Sequence, residues 1–331
     1  MRSAEPRLHV YILNWNGGDG LAACIETVLG SEGVAPVVHV VDNASSDGSP
    51  ERAESILGPD RIIRTGENRG YAAGMNVALE HLADAGGELA LLLTQDARIA
   101  PDALRLLYDV ASGDPQVGVV GPIVVFREKP RRLISAGGYL DVRRLVTGHH
   151  REILATEPYP VDWLDGCCLL VRREAVAAVG GFDEGYFLYF EDADLGCRLA
   201  RAGWRVVVEP RARADHDKSA VPGAYYFHYM VRNRYRFWRN NYGVGAARVG
   251  AAVAWDTARI GAAMIRAVVM RRDDGEPPVE RLRRLRRQLR GAVTGTVAAL
   301  RGETGASLSV RPAGPTPATP DPTPAADQAT S

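Results

Sequence analysis

Short apolar, β-branched runs alternate with stretches of helical spacing along the first 125 residues. His9–Leu13, Val37–Val41, Arg61–Arg64, Leu89–Thr94 and Val117–Val120 are predicted strands. Between them, Leu21–Leu29, Pro50–Leu57, Tyr71–Ala85 and Pro101–Ala111 carry the apolar period of helices. Pro101 suits a first helical position and Gly86 a helix stop. Strand–helix alternation predicts an α/β layer with a largely parallel sheet. From Ile123 to Glu157 the period is lost, and Gly137-Gly138 predicts a hairpin or loops. Helical patterns return over Arg173–Val179 and Asp192–Ala202, with a strand at Arg205–Val208 and an aromatic, basic helix over Tyr225–Tyr242.

The remainder differs in character. Gly243–Met270 is Ala-rich and amphipathic, and Arg281–Arg290 reads RLRRLRRQLR without an acid. From Arg311 the chain is Pro, Thr and Ala, a composition that cannot bury a core and is predicted disordered. The expected organisation is a domain over 1–242, a helical basic and amphipathic extension over 243–300, and a disordered tail over 301–331. Zero net charge excludes a polycation that seeks nucleic acid. Cys24, Cys167, Cys168 and Cys197 show no C-x-x-C spacing and read as buried thiols of a reducing compartment. No signal core and no run of 18 uncharged apolar residues is found, so a cytoplasmic protein is expected, with the basic C-terminal region available to the inner face of a membrane.

Candidate chemistry gathers where predicted strands end. Asn14, Asp42 and Asp96 each follow a strand, the arrangement of one crevice at the carboxyl edge of a sheet. Asp42 can meet a base or ribose, or can cap the turn Asn43–Ser49. Gly70 and Gly74 open a helix, where backbone can approach a phosphate or where glycine merely packs. Asp96, after Leu89–Leu93, can hold a divalent cation or begin a turn. A second acidic site, Glu191-Asp192-Ala193-Asp194, follows Tyr189-Phe190. Helical spacing pairs Asp194 with Arg198, whereas Asp192 has Gly196 four residues on. Asp192 can serve as a general base or be a helix-terminal charge. Trp163, before Asp165-Gly166, can floor an acceptor pocket or sit in the core.

These motifs together resemble the family 2 glycosyltransferases of the GT-A fold, especially rhamnosyltransferase-like members. They run in order: Ile12–Asn16, Val40–Asn43 with Ser46-Asp47-Gly48, Glu67–Asn76, Leu91–Asp96, Gly166, Gly180–Glu184 and Phe190–Leu195. The likeness covers about the first three quarters of the chain. It implies a GT-A-type mixed, mainly parallel sheet flanked by helices, with a nucleotide-sugar half over 1–122 and an acceptor half over 123–242. It further implies inverting transfer of a hexose or deoxyhexose from a nucleotide-diphosphate sugar to a hydroxyl of a glycan, lipid-linked or small-molecule acceptor. Asn14, Asp42, Asn68, Gly70, Gly74, Asn76, Gln95 and Arg232 would form the donor site. Asp192, supported by Glu191, would be catalytic, and Trp163, Asp165 and Gly166 would face the acceptor. Where the family carries Asp-x-Asp, this chain has Thr94-Gln95-Asp96, so Mg²⁺ or Mn²⁺ would rest on Asp96 and on His216, which follows a strand as a metal-binding His does in the resembling enzymes.

Two other readings compete. A sugar nucleotidyltransferase would carry a basic, Gly-rich loop after the first strand, and Asn14-Trp15-Asn16-Gly17-Gly18 has no basic residue. A non-catalytic membrane-surface module would use only the C-terminal basic and amphipathic region.

Overall fold

Alternation along the first strand divides the interior in two. In β1 (Arg7–Asn14), Leu8, Val10 and Ile12 enter one apolar cluster, and Tyr11 and Leu13 enter another on the opposite sheet face. The computed structural model describes residues 5–217, 224–269 and 278–306. The chain proceeds through α1 (Gly18–Leu29), β2 (Ala35–Asp42), α2 (Ser49–Leu57), β3 (Ile62–Arg64), α3 (Gly70–Asp84) and β4 (Leu89–Thr94). Next come β5 (Ala97–Ile99), α4 (Ala103–Gly113), β6 (Val117–Phe126), β7 (Lys129–Ser135) and the hairpin of β8 (Gly138–Asp141) and β9 (Val146–His149). Then follow β10 (Tyr159–Pro160), β11 (Cys168–Arg172), α5 (Arg173–Ala178), α6 (Glu191–Arg201) and β12 (Arg205–His216). Three helices close the described chain: α7 (Ala224–Tyr242), α8 (Ala246–Val269) and α9 (Pro278–Arg301).

The main sheet has the order β10-β12-β6-β11-β4-β1-β2-β3. β4, β1, β2 and β3 are mutually parallel, and β6 and β12 are parallel to each other. β11 lies antiparallel between β4 and β6. This is the mixed, mainly parallel α/β sheet expected. Leu91, Leu92 and Leu93 of β4 are fully buried, and each contributes roughly 2 kcal/mol of apolar burial.

Two strands run past their expected ends. The apolar runs predicted strands ending at Val120 and Val208. β6 passes through Pro122, which still partners Glu209, and β12 passes through Pro210, which falls within the register shift between Glu209 and Arg213. β11 was not expected as a strand, having an apolar run without alternation, which its burial between two neighbours explains.

A third apolar cluster joins α6 and α7 to the C-terminal helices through Tyr186, Phe190, Phe237, Trp238, Val249 and Ala292. In α9, Gly291 and Gly295 lie directly against the carbonyls of Ala224 and His228, where no Cβ could fit. No helix among the described residues is long and apolar enough to cross a membrane. The tail from Arg311 lies outside the described residues.

Candidate active site at the carboxyl edge of the sheet

Strand register brings the donor-side residues together. Asn14 is opposite Asp42, and Leu13 opposite Thr94, so the exits of β1, β2 and β4 form one edge. At that edge Asn14 is fully buried and donates to Asp42 Oδ1 at 2.9 Å, Ser45 Oγ at 3.0 Å and Ser49 Oγ at 2.9 Å. Asp42 also accepts from the Ser45 hydroxyl at 2.6 Å and is 3% exposed. Both had been expected to touch the donor. In the structure the Asn14 amide nitrogen and the Asp42 carboxylate hold the 43–49 loop, while Asn14 Oδ1 is buried with no hydrogen-bond partner among the described residues. Asp47 extends the support, accepting from Gly18 N at 2.7 Å and the Ser49 hydroxyl at 2.6 Å.

The small-residue helix start of α3 is likewise filled by protein. A Cβ on Gly70 would strike the Phe187 carbonyl, and Tyr71 N donates to that same carbonyl at 2.7 Å. Gly74 lies against Leu13 and Asn43. Asn68 accepts from Gly70 N at 2.9 Å, and Asn76 binds the Phe182 carbonyl at 3.0 Å and its N–H at 2.9 Å. In the structure these two glycines admit the 182–190 segment and the sheet. Asn68 and Asn76 serve the same junction.

Gln95 and Asp96 diverge in role. The Gln95 amide clasps the Trp15 backbone, donating to its carbonyl at 2.9 Å and accepting from its N–H. Asp96 is half-exposed. Antiparallel pairing of β5 with β12 sets His216 opposite Ala97, which brings His216 Nε2 to 3.1 Å from Asp96 Oδ2. Burial raises the Asp96 pKa, but the His216 hydrogen bond and charge, with the Thr94 hydroxyl, outweigh it and hold the carboxyl below its usual range. Arg127, which the sequence reading passed over, fixes this corner by donating to the Asp96 carbonyl at 2.5 Å and to Asp215 Oδ1 at 2.6 Å.

A carboxylate oxygen and an imidazole nitrogen that meet so closely form a donor pair suited to Mg²⁺ or Mn²⁺. No group of three His, Cys, Asp or Glu side chains able to hold a metal occurs among the described residues. Two such ligands fit a cation that takes the rest of its coordination from outside these side chains, and they do not make an all-protein cage.

The second acidic site meets the first through β11. Asp192 Oδ2 accepts from Gly166 N at 3.1 Å, and Asp192 Oδ1 from Ala193 N at 2.8 Å. One residue on, the Cys167 carbonyl accepts from Thr94 N at 3.1 Å, two residues before Asp96. Asp165 turns this segment by accepting from Cys167 N at 3.2 Å. Tyr71, unremarked among the glycines of its motif, donates to the Gly166 carbonyl at 2.5 Å. Glu191 is 4% exposed, and its Oε2 has no hydrogen-bond partner among the described residues. Burial, then the Asp192 charge, push its pKa well above the usual carboxylate range. Tyr189 marks the convergence: burial raises its hydroxyl pKa, and Tyr226, Glu191 and Asp96 all add to the shift.

As expected, Asp194 is structural, bonded to Arg198 Nε at 2.6 Å and also to Tyr186 and Asn241. Trp163 is a core residue and not an exposed pocket floor. It is 6% exposed, with its ring against Gly138 and His149 and its Nε1 donating to the Tyr139 carbonyl at 3.3 Å.

Backbone strain is concentrated just before the second acidic site. Phe187, Tyr189 and Phe190 have φ of 65°, 71° and 75°, a left-handed conformation that costs on the order of 1 kcal/mol or more per bulky residue. Asn233 clamps this loop, donating to the carbonyls of Tyr186, Leu188 and Tyr189 at 3.0, 2.8 and 2.7 Å. Arg232 donates to the carbonyls of Gly185 at 3.1 Å and Tyr186 at 2.5 Å, and lies over the Tyr229 ring. It had been expected near a diphosphate. At 1% exposed, with burial lowering its pKa to about 10, it acts on the loop instead.

Comparison with known proteins agrees with this architecture. An L-rhamnosyltransferase of Mycobacterium tuberculosis named for N-acetylglucosaminyl-diphospho-decaprenol is 34% identical over 208 residues, covering 56% of this chain and 68% of the relative. A low-salt glycan biosynthesis hexosyltransferase of Haloferax volcanii is 23% identical, over 69% of this chain and 74% of its own. Among solved structures, a Pyrobaculum calidifontis mannosyltransferase in complex with GDP-Man and Mn²⁺ superposes with a TM-score of 0.54 at 18% identity, over 90% of this chain and 88% of that one. The sequence profile described as glycosyl transferase family 2 matches residues 9–180, more than half of the chain. On that match, and on the crevice built at its sheet edge, the chain belongs to glycosyl transferase family 2 and is a glycosyltransferase.

Proposed function

We propose that this glycosyltransferase moves rhamnose, or a closely related deoxyhexose, from a nucleotide-diphosphate donor to a hydroxyl of a lipid-linked glycan, with inversion at C1. The sugar and acceptor follow from the mycobacterial relative. The chemistry rests on one observation: Asp192, anchored on Gly166, stands one hydrogen-bonded strand away from Asp96. A base at the start of α6, held to the segment that enters β11, and a leaving-group site at the end of β4 suit an in-line displacement across the edge.

Asp192 takes the proton of the acceptor hydroxyl as its oxygen bonds to C1 and the bond from C1 to the diphosphate breaks. Glu191, whose pKa is raised by burial and by the Asp192 charge, stands beside Asp192 as the supporting carboxyl of the site. Asp96 and His216 would hold Mg²⁺ or Mn²⁺, which when bound offsets charge on the departing nucleotide diphosphate. The donor lies over residues 1–122 and the acceptor over 123–242, with α8 and α9 as an extension. The Arg232–Asn233 clamp keeps the strained loop, and with it both acids, in place.

A panel of nucleotide sugars, each with and without Mn²⁺, tests the reading by thermal shift and by release of nucleoside diphosphate. A nucleotide-diphosphate deoxyhexose should give the largest metal-dependent shift. Equal response to every sugar, or release of pyrophosphate from a nucleoside triphosphate and sugar phosphate, would replace it with the nucleotidyltransferase reading.

A further inference from the structure

We propose that the outward face of α9 docks on an anionic lipid bilayer and so brings the active site to its acceptor. The second part rests on the lipid-linked acceptor proposed above; the docking does not.

The helix has two unlike faces. Leu285, Gln288, Ala292 and Ala299 turn inward, and Gly291 and Gly295 seat the helix on α7. On the opposite side Arg283, Arg286, Arg287 and Arg290 are exposed. The same outward side continues into Leu289, Val293, Val297 and Leu300, all exposed, with Leu300 at 69%. Their spacing of three and four residues makes one stripe, cationic at its start and apolar at its end.

No Asp or Glu lies between Arg281 and Gly302. A solvated helix face normally mixes signs, so that charges pair across a turn. Here the arginines repel one another, and the adjoining apolar side chains stay in water. An anionic bilayer relieves both costs: headgroups neutralise the guanidinium groups, and the headgroup–acyl boundary takes the Leu and Val side chains. A nucleic acid would satisfy only the arginines.

The helix is also tied to the catalytic loop. Gly305 N, just beyond α9, donates to the Gly185 carbonyl at 2.8 Å, and Arg232 bridges the carbonyls of Gly305 and Tyr186 at 2.5 Å each. A bilayer that holds α9 therefore holds the segment leading into Glu191 and Asp192.

Co-sedimentation of the full chain with phosphatidylcholine vesicles, with and without phosphatidylglycerol, tests the docking. Binding should require phosphatidylglycerol and fall with salt. Each Arg→Gln change at 283, 286, 287 or 290 should weaken it about fivefold. V293S/V297S/L300S should weaken it further, while nucleotide-sugar hydrolysis stays unchanged in all these variants. If the parent stays in the supernatant, or the four-arginine variant sediments equally well, the docking is wrong. Self-association that V293S/V297S/L300S abolishes, without vesicle binding, would assign the face to a second copy of the chain; binding to RNA in place of vesicles would assign it to nucleic acid. With docking present, transfer to a bilayer-embedded acceptor should drop tenfold or more in the arginine variants. Vesicle binding without any such transfer by the parent would remove the acceptor reading and leave the docking intact.

Discussion

Asn233 donates to the Tyr189 carbonyl at 2.7 Å, and Tyr189 has a φ of 71°. One buried amide thus holds a bulky residue in a conformation it would otherwise leave, two residues before Glu191. Asn233→Ala removes this bond and those to Tyr186 and Leu188. We expect a stability loss of about 2–3 kcal/mol by denaturant unfolding. We also expect kcat to fall much more than KM for the donor rises, because the relaxed loop carries the acids and not the donor. Unchanged kcat in a stable variant would show that the clamp has no catalytic role.

Gly70 should tolerate no side chain. Its φ is +78°, and a Cβ would meet the Phe187 carbonyl. Gly70→Ala is expected to cost about 2 kcal/mol or more, through left-handed strain and displacement of the loop. Thermal unfolding measures this, and a neutral result would mean that the α3–loop junction is loose. Gly58, at φ +90° with open space around it, is the control that carries strain without a clash.

The strand exits were legible in the sequence because an apolar run ending in Asn or Asp marks a strand edge whatever binds there. Roles at the edge were harder to read. Asn14 and Asp42 look like ligand contacts until the register sets them opposite each other, where the Asn14 amide donates to Asp42. Arg232 resembled a diphosphate contact, and only packing shows that it is buried against carbonyls. The left-handed run at Phe187, Tyr189 and Phe190 had no sequence signal, since glycine usually marks such positions and none stands there. The meeting of Asp96 with His216, by contrast, was expected from family resemblance, and the β5–β12 pairing explains it physically.

Asp96→Ala should weaken Mn²⁺-dependent donor binding at least about tenfold by calorimetry and leave metal-free binding unchanged. His216→Ala should act in the same direction. If both variants bind donor and metal as the parent does, the cation rests elsewhere.

Acid should destabilise the fold through His39. The ring is buried between His9, His81 and Arg61, and burial, then the His81 charge, lower its pKa from 6.5 to about 4. Between those values the unfolded chain binds a proton that the folded chain refuses. Stability from this group is therefore fully present above pH 6.5 and is lost as pH falls toward 4. His228, lowered to about 4 by burial and then by Arg232, acts in the same window. His39→Gln should flatten the midpoint-against-pH curve there, and an unaltered slope would show that these rings do not govern acid unfolding.

The most direct test of the account is Asp192→Asn, with transfer and donor binding measured on one preparation. Asparagine keeps the shape and can still accept from Gly166 N, but it cannot take the acceptor proton. Transfer should fall roughly 10²–10⁴-fold while the donor Kd stays within error of the parent. Transfer at the parental rate would remove Asp192 as the base and contradict the account.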